Sequence, residues 1–127
     1  MTEGLKQAGF QVLWGNDVAA HPLMAYRANH PEVLVDEKDI RQIECKKLMA
    51  ELGLKKGELD LLAGCPPCQG FSSIRTNNGR YSIPDERNDL INDYLRFVEA
   101  FRPKVAMLEN VPGLKDDSRF EKFVATM

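Results

Sequence analysis

Short apolar runs alternate with segments of helical periodicity along the chain. Runs of strand length lie at residues 11–14, 33–35, 59–63 and 104–108. Segments with helical spacing lie at residues 19–29, 40–52 and 88–101, and Asp117-Ser118 is placed to begin one more helix. Because strands alternate with crossover helices, we predict an α/β fold with a parallel sheet and helices on both faces.

The segment at residues 88–101 gives the clearest of these predictions. Its apolar residues recur at helical spacing at Leu90, Ile91, Tyr94, Leu95, Phe97, Val98 and Phe101. Pro103 is expected to end this helix. In the segment at residues 40–52, Asp39 stands where an N-cap is expected and Gly53 where a helix stops.

The size and charge of the chain narrow the classes of protein to which it could belong. Its 127 residues suit one domain, and 17 basic against 19 acidic residues give a net charge of −2. A protein that binds nucleic acid through bulk charge would be basic, so any such contact must be local. We expect neither a membrane span nor a secretory signal, since no apolar run reaches roughly 18 residues. Three cysteines are too few for a disulfide scaffold, which favours a cytosolic compartment.

Two polar clusters follow the ends of two predicted strands. Pro66-Pro67-Cys68-Gln69 follows residues 59–63, and Glu109-Asn110-Val111 follows residues 104–108. Ligands of open parallel sheets bind beyond the carboxyl ends of the strands, so we expect both clusters in one cleft. Cys68 is then a candidate nucleophile and Glu109 its candidate acid–base partner. On chemistry alone, a structural cysteine and a solvated glutamate are open alternatives.

These residues resemble those of the DNA (cytosine-5) methyltransferase family. Gly64-Cys65-Pro66-Pro67-Cys68-Gln69-Gly70-Phe71-Ser72 is similar to the family's catalytic motif, and Glu109-Asn110-Val111 is similar to its second signature. Asp85-Glu86-Arg87-Asn88 and Arg102-Pro103-Lys104 are similar to the family as well. The resemblance extends from about Gly4 onward. It implies a partial doubly wound, Rossmann-like S-adenosylmethionine-dependent methyltransferase sheet that lacks its first strand.

The resemblance implies covalent methyl transfer to C5 of cytosine in DNA. Cys68 would be the thiolate that adds to C6, and Glu109 the carboxylic acid beside N3 and the exocyclic amine. Since these atoms are inaccessible in a stacked duplex, the implied partner is double-stranded DNA with a flipped cytosine. The residues expected to contact this substrate are Gln69, Ser72, Arg87, Asn110 and Val111. Residues 72–88 would form a loop that closes over the base, where Arg75 and Arg80 offer further phosphate contacts.

The resemblance also implies S-adenosylmethionine as cofactor, with no metal. Asp17 follows the first predicted strand as the family's ribose-binding acidic residue does, and Val18 would pack on the adenine. Asp39-Ile40 resembles the family's Asp-Ile pair, whose carboxylate accepts from the adenine amine, and Pro67 is also expected at the cofactor. As an N-cap, Asp39 would need no ligand, and both interpretations stay open.

Parts of the family pattern are not found in residues 1–127. The family begins with a strand and a glycine-rich loop, whereas this chain starts inside the following helix at residues 1–5. The family's arginine-bearing strand and target-recognition domain are not found either. We therefore expect residues 1–127 to be a partial catalytic domain with little or no methyltransferase activity alone. Its compartment would be the cytoplasm of a bacterium or the nucleus of a eukaryote.

Three alternative functions stay open. A transfer RNA cytosine-5 methyltransferase would use the same thiol chemistry, although Gly70-Phe71-Ser72 looks more like the DNA branch. A non-catalytic remnant would keep the motifs without the activity. Cys65-Pro66-Pro67-Cys68 is also a Cys-x-x-Cys sequence, which is found in redox dithiols and zinc sites. Pro67 disfavours the helix that a redox dithiol usually opens, and a zinc site would need Cys45, His21 or His30, which show no paired spacing.

Overall fold

The computed structural model describes residues 1–66, 90–109 and 118–126. The chain divides into two compact units, Met1–Leu52 and Gly53–Met127. Several predicted site residues lie outside the described residues, namely Pro67, Cys68, Gln69, Ser72, Arg75, Arg80, Arg87, Asn110 and Val111. The predicted loop at residues 72–88 and the predicted cap at Asp117 also lie outside them.

The first unit contains two short strands that pair in parallel. Its elements in chain order are α1 (Thr2–Gln7), β1 (Trp14–Asn16), α2 (Ala20–Asn29), β2 (Leu34–Asp36), a 3-10 helix (Ile40–Gln42) and α3 (Cys45–Glu51). The register joins Trp14 to Leu34 and Asn16 to Asp36. The parallel pairing and the helix at residues 19–29 are as predicted.

The first strand lies further along the chain than predicted. It spans Trp14–Asn16, whereas the apolar pattern predicts it at residues 11–14, before the turn-forming residues Gly15 and Asn16. Polar bonds to the second strand account for the difference: the Trp14 indole donates to the Asp36 carboxylate at 3.1 Å, and the Asn16 amide donates to the Asp36 carbonyl at 3.1 Å. These cross-strand contacts stabilise an extended conformation that the turn-forming residues disfavour locally.

The helix predicted at residues 40–52 is divided in two. A 3-10 helix ends at Gln42, Ile43 is extended with φ −85° and ψ 120°, and α3 begins at Cys45. Ile43 is 6% exposed, so the extended residue buries its side chain in the unit. Burying one aliphatic side chain contributes roughly 1.5–3 kcal/mol to stability, which can offset the loss of a few helical hydrogen bonds.

The second unit places a parallel strand pair against helices. Its described elements are β3 (Leu61–Gly64), α4 (Leu90–Phe101), β4 (Val105–Leu108) and α5 (Ser118–Thr126). The register runs from Leu61 opposite Val105 to Gly64 opposite Leu108. The predicted strands and the amphipathic helix are thus confirmed, with β3 shifted by up to two residues.

The core of the second unit lies between α4, α5 and one face of the strand pair. Ile91, Tyr94, Leu95 and Val98 of α4 cluster with Phe123 of α5. Leu62, Ala106 and Leu108 pack against that cluster from the strands. The alternate residues of β4, Val105 and Met107, are exposed on the opposite face, as the two-residue period of a strand requires.

Candidate active site

Cys65 and Glu109 lie side by side at the ends of two paired strands. Gly64 and Leu108 are the last register pair, and the Glu109 amide donates to the Gly64 carbonyl at 3.0 Å. Since Leu62 and Leu108 face α4, alternation directs the side chains of Cys65 and Glu109 to the other face. The strand pair therefore delivers Glu109 and the start of the Pro66-Pro67-Cys68 segment to the same edge, as the sequence predicts.

The chemistry of Cys65 differs from that of a nucleophile. Partial burial raises the pKa of the Cys65 thiol, and the Glu109 carboxylate raises it further through its negative charge and a hydrogen bond. A raised pKa keeps the sulfur protonated, and the thiolate is the reactive form. Cys65 can thus donate to the Glu109 carboxylate but is a poor candidate for covalent catalysis. The sequence pattern alone does not indicate that Cys65 is the neighbour of Glu109.

Tyr94 supports the same strand ends from the helix side. Its side chain is 6% exposed, and its hydroxyl donates to the carbonyls of Leu62 at 2.9 Å and Met107 at 3.1 Å. Burial raises the pKa of Tyr94 to about 12, so the phenol remains a neutral donor at ordinary pH. Periodicity predicts Tyr94 as a core residue, but nothing in the pattern indicates which carbonyls its hydroxyl contacts.

In the first unit, the predicted cofactor residues lie at the carboxyl ends of β1 and β2. The Asp17 amide donates to the Asp36 carbonyl at 3.3 Å, which extends the strand pairing by one residue. One Asp17 carboxylate oxygen accepts from the Ala19 amide at 2.9 Å. Val18 beside it is 69% exposed. The structure therefore presents a carboxylate and an apolar surface together at this edge.

Asp39 is engaged by its own neighbours. Its carboxylate accepts from the Arg41 amide at 2.9 Å, which caps the 3-10 helix that begins at Ile40. The Arg41 guanidinium also binds both carboxylate oxygens, through Nε at 2.9 and 3.1 Å. These contacts lower the pKa of Asp39 to about 2. The N-cap interpretation of Asp39 is confirmed, and the adenine-binding interpretation stays a prediction.

Asn16, which the sequence pattern does not indicate as a functional residue, connects the Asp17 and Asp39 segments. Its side-chain amide donates to the Asp36 carbonyl at 3.1 Å and to the Lys38 carbonyl at 2.8 Å. The backbone that leads from β2 to Asp39 is thereby held against the end of β1. The signal that could have identified Asn16 is a two-donor amide at a strand end.

The residues at this edge fit part of S-adenosylmethionine. A ribose diol needs a carboxylate acceptor, and within the described ranges the second oxygen of Asp17 accepts no hydrogen bond. The exposed face of Val18 suits an aromatic ring. A groove of about 480 Å³ elsewhere in the first unit is lined by residues such as Lys6, Phe10 and Leu52, and none of the predicted cofactor residues of this unit lines it.

Metal clusters and membrane-spanning helices are both absent from the part of the chain that the structure describes. Within residues 1–66, 90–109 and 118–126, no group of three His, Cys, Asp or Glu side chains is arranged to hold a metal ion. None of the helices in these ranges combines the length and the apolar character needed to cross a membrane.

Known proteins similar to this chain include bacterial and animal enzymes. The type II methyltransferase M.AgeI of Thalassovita gelatinovora is 42% identical over 112 residues, which cover 88% of this chain and 25% of that protein. DNA (cytosine-5)-methyltransferase 1 of Rattus norvegicus is 32% identical over 119 residues, covering 87% of this chain and 7% of that protein. The chain thus spans a quarter or less of the length of these two relatives.

The fold matches solved methyltransferase structures. A crystal structure described as a DNA modification methyltransferase encoded within an E. coli prophage aligns with a TM-score of 0.78 and 26% identity. The alignment covers 98% of this chain and 33% of that one. The predicted fold class, a partial Rossmann-like methyltransferase fold, is therefore confirmed. Residues 1–127 match the family described as C-5 cytosine-specific DNA methylase, and the chain belongs to that family.

Proposed function

We propose that residues 1–127 form part of a catalytic domain that transfers a methyl group from S-adenosylmethionine to C5 of cytosine in DNA. The observation that carries the proposal is the register of β3 and β4. This register sets the Glu109 carboxylate beside the backbone that enters Pro66-Pro67-Cys68. A thiol and a carboxylic acid at one sheet edge are the two groups that activation of a cytosine ring requires.

Cys68 is the proposed nucleophile. Cytosine C5 is a weak nucleophile, so the Cys68 thiolate first bonds to C6 and the electrons of the C5–C6 double bond move into the ring. C5 then has the electron density to bond to the methyl group that S-adenosylmethionine would supply, whose bond to the cofactor's sulfur breaks with the electron pair left on that sulfur. Loss of the C5 proton to a base restores the double bond as the bond between sulfur and C6 breaks. The thiolate is thereby regenerated and the product is 5-methylcytosine.

Glu109 is the proposed acid at the base. As the sulfur adds to C6, negative charge develops on N3 of the ring, and the Glu109 carboxyl group, once it has taken up a proton, can donate that proton or a hydrogen bond to N3. Glu109 is exposed at the strand end, so its carboxyl group is accessible to a flipped base. The thiol of Cys65 stays protonated beside it and does not compete as a nucleophile.

DNA is the proposed substrate, with its target cytosine rotated out of the duplex. Gln69, Ser72, Arg87, Asn110 and Val111 are proposed to contact it on the basis of their motif positions. S-adenosylmethionine, when bound, supplies the methyl group. Asp17 would accept hydrogen bonds from the ribose diol, Val18 would pack on the adenine, and Asp39, Ile40 and Pro67 are the further proposed contacts.

Methyl transfer with labelled cofactor tests this function. The complete polypeptide of the reading frame, with the 127-residue chain in parallel, is incubated with tritiated S-adenosylmethionine and cytosine-containing DNA. We expect label in DNA with the complete polypeptide and little with residues 1–127 alone. Glu109→Gln should lower the rate by roughly 10²–10⁴-fold, and Cys68→Ser should abolish it.

The matched control is Glu99→Gln, which makes the same change on α4 away from the strand ends. It should keep transfer within about twofold, because surface substitutions away from a site usually have small effects. Label that reaches adenine rather than cytosine, or full transfer by Cys68→Ser, would overturn the proposal.

A further inference from the structure

Tyr94 differs in chemistry from the residues that surround it on α4. Ile91, Leu95 and Val98 share its buried cluster and carry hydrocarbon side chains. A phenylalanine would fill the same space, and a buried hydroxyl costs free energy unless it is hydrogen-bonded. The hydroxyl is therefore expected to have a specific role in this core.

The acceptors of the Tyr94 hydroxyl belong to different strands. Leu62 is in β3 and Met107 is in β4, and the hydroxyl lies 2.9 and 3.1 Å from their carbonyl oxygens. A phenol has one proton, so the two carbonyls share it, and each keeps a second lone pair for the sheet ladder. The bond joins the strands two residues before Glu109 and three residues before Cys65.

Gly64 allows the ring to approach this closely. A Cβ built on Gly64 would lie 2.6 Å from Cδ2 and 2.7 Å from Cε2 of Tyr94. Real Cβ atoms do not approach ring carbons to this distance, so any larger residue would push the ring or the strand aside. The ring also contacts Phe123, with the two ring centroids 5.9 Å apart. Tyr94 thus packs against both α5 and the end of β3.

We propose that Tyr94 is a positioning residue for Glu109: its hydroxyl holds the ends of β3 and β4 at a fixed separation, so that Glu109 stays beside Gly64 and Cys65 at the edge of the sheet. The proposal deepens the proposed function and rests on it, because Glu109 must be the catalytic acid for its position to matter. Small displacements of catalytic groups have large effects on rate, which gives this contact its importance.

Amide hydrogen exchange on the 127-residue chain tests the positioning directly. Tyr94→Phe keeps the ring and removes the hydroxyl. The Glu109 amide, bonded to the Gly64 carbonyl, should then exchange roughly three- to tenfold faster, the effect of losing one hydrogen bond. The amides of Lys104 and Val105 bond to the carbonyls of Leu59 and Asp60, just before β3 at the opposite end of the pair, and should change by less than about twofold.

The matched control is Tyr26→Phe in the first unit. The Tyr26 hydroxyl forms a hydrogen bond with the Thr2 hydroxyl at 2.8 Å, so this variant also removes one partly buried hydrogen bond of a tyrosine. It should leave the Glu109 amide unchanged. Equal acceleration of the Glu109, Lys104 and Val105 amides in Tyr94→Phe would mean general destabilisation and would overturn the positioning role, as would an unchanged Glu109 amide.

The kinetic consequence is measured on the complete polypeptide. Tyr94→Phe should lower kcat for methyl transfer roughly tenfold, with KM for DNA and for S-adenosylmethionine within about twofold of wild type. A variant that raises KM and leaves kcat unchanged would contradict the proposal. Absence of transfer by the wild type would instead contradict the proposed function, and the exchange pattern would still support or overturn the role of Tyr94.

Discussion

Both units set a strand glycine against a tyrosine from a later helix, and the two tyrosines make different bonds. In the first unit, a Cβ on Gly15 would lie 3.3 Å from the hydroxyl of Tyr26, whose partner is Thr2 in α1. In the second unit, a Cβ on Gly64 would lie 2.6 Å from the ring of Tyr94, whose hydroxyl binds two strand carbonyls. The same local pairing connects two helices in one unit and two strand ends in the other.

The strand ends of the two units are consequently held by different forces. In the first unit, polar side chains hold them: Asn16 binds two carbonyls, and Arg41 binds Asp39. In the second unit, a packed helix and a buried phenol hold them. Salt weakens polar contacts at an exposed edge, whereas it has little effect on the packing of a core. We therefore expect the strand ends of the first unit to respond more strongly to salt than those of the second.

Truncating a buried leucine in each unit should produce the largest difference in the free energy of unfolding. Leu95 and Leu23 are each 4% exposed, but Leu95 lies in the cluster of α4 and α5, whereas Leu23 is the buried residue of α2. Leu95→Ala should cost about 3–4 kcal/mol and Leu23→Ala about 2 kcal/mol, because the sparser site can relax around the cavity. Urea unfolding measures both, and equal costs would remove the contrast between the units.

Alanine at each strand glycine should produce a smaller effect. Gly64→Ala should cost about 2–3 kcal/mol because the new carbon meets a confined ring. Gly15→Ala should cost less than about 1 kcal/mol because the tip of Tyr26 can move away. Thermal unfolding compares the two variants. Adding Tyr94→Leu to Gly64→Ala should recover part of the loss, and a further loss instead would argue against the steric explanation.

The next largest effect is expected at high pH, which should lower the stability of the second unit. The folded pKa of Tyr94 is raised from 10.0 to about 12, so its contribution to stability is complete below pH 10 and is lost as the pH rises through about 12. Tyrosinate absorbance should show one tyrosine that titrates late, and Tyr94→Phe should remove that step. A late step that survives in Tyr94→Phe would assign it to another tyrosine.

The smallest effect is expected at Asp39. Its folded pKa lies at about 2, below the ordinary 3.8, so the contribution of the Arg41 contacts is present above pH 3.8 and is lost as the pH falls through about 2. A carboxyl carbon NMR titration should show the low midpoint, and Arg41→Ala should move it up towards 3.8. A midpoint that stays at about 2 in that variant would show that backbone bonds alone set it.

The elements with the strongest periodicity could be predicted from the sequence. The helix Leu90–Phe101 was predicted because its apolar stripe also supplies its core contacts, so local pattern and burial agree. The predicted bounds of β1 were wrong because hydrogen bonds to Asp36 hold Trp14 and Asn16 in the strand. Asp36 lies 22 positions after Trp14 and 20 positions after Asn16 in the sequence. Periodicity contains no information about such contacts.

In the candidate site too, the local pattern could be predicted and the long-range contacts could not. Glu109 was predicted at a strand end, and the structure places it there beside Gly64. The roles of Asn16 and Tyr94 could not be predicted, because each depends on which carbonyl oxygens the fold brings to one side-chain donor. The contact between Arg41 and Asp39 could not be predicted for a similar reason. That two residues of opposite charge lie two positions apart does not indicate whether the guanidinium binds both carboxylate oxygens.

The covalent bond to Cys68 is the claim on which the account depends most. DNA that carries 5-fluorocytosine traps the intermediate, because fluorine cannot leave C5 as a proton does. Incubated with the complete polypeptide and S-adenosylmethionine, it should give a stable adduct that mass spectrometry locates on Cys68. The adduct should persist in Cys65→Ser and disappear in Cys68→Ser. An adduct on Cys65, or one that still forms in Cys68→Ser, would contradict the account.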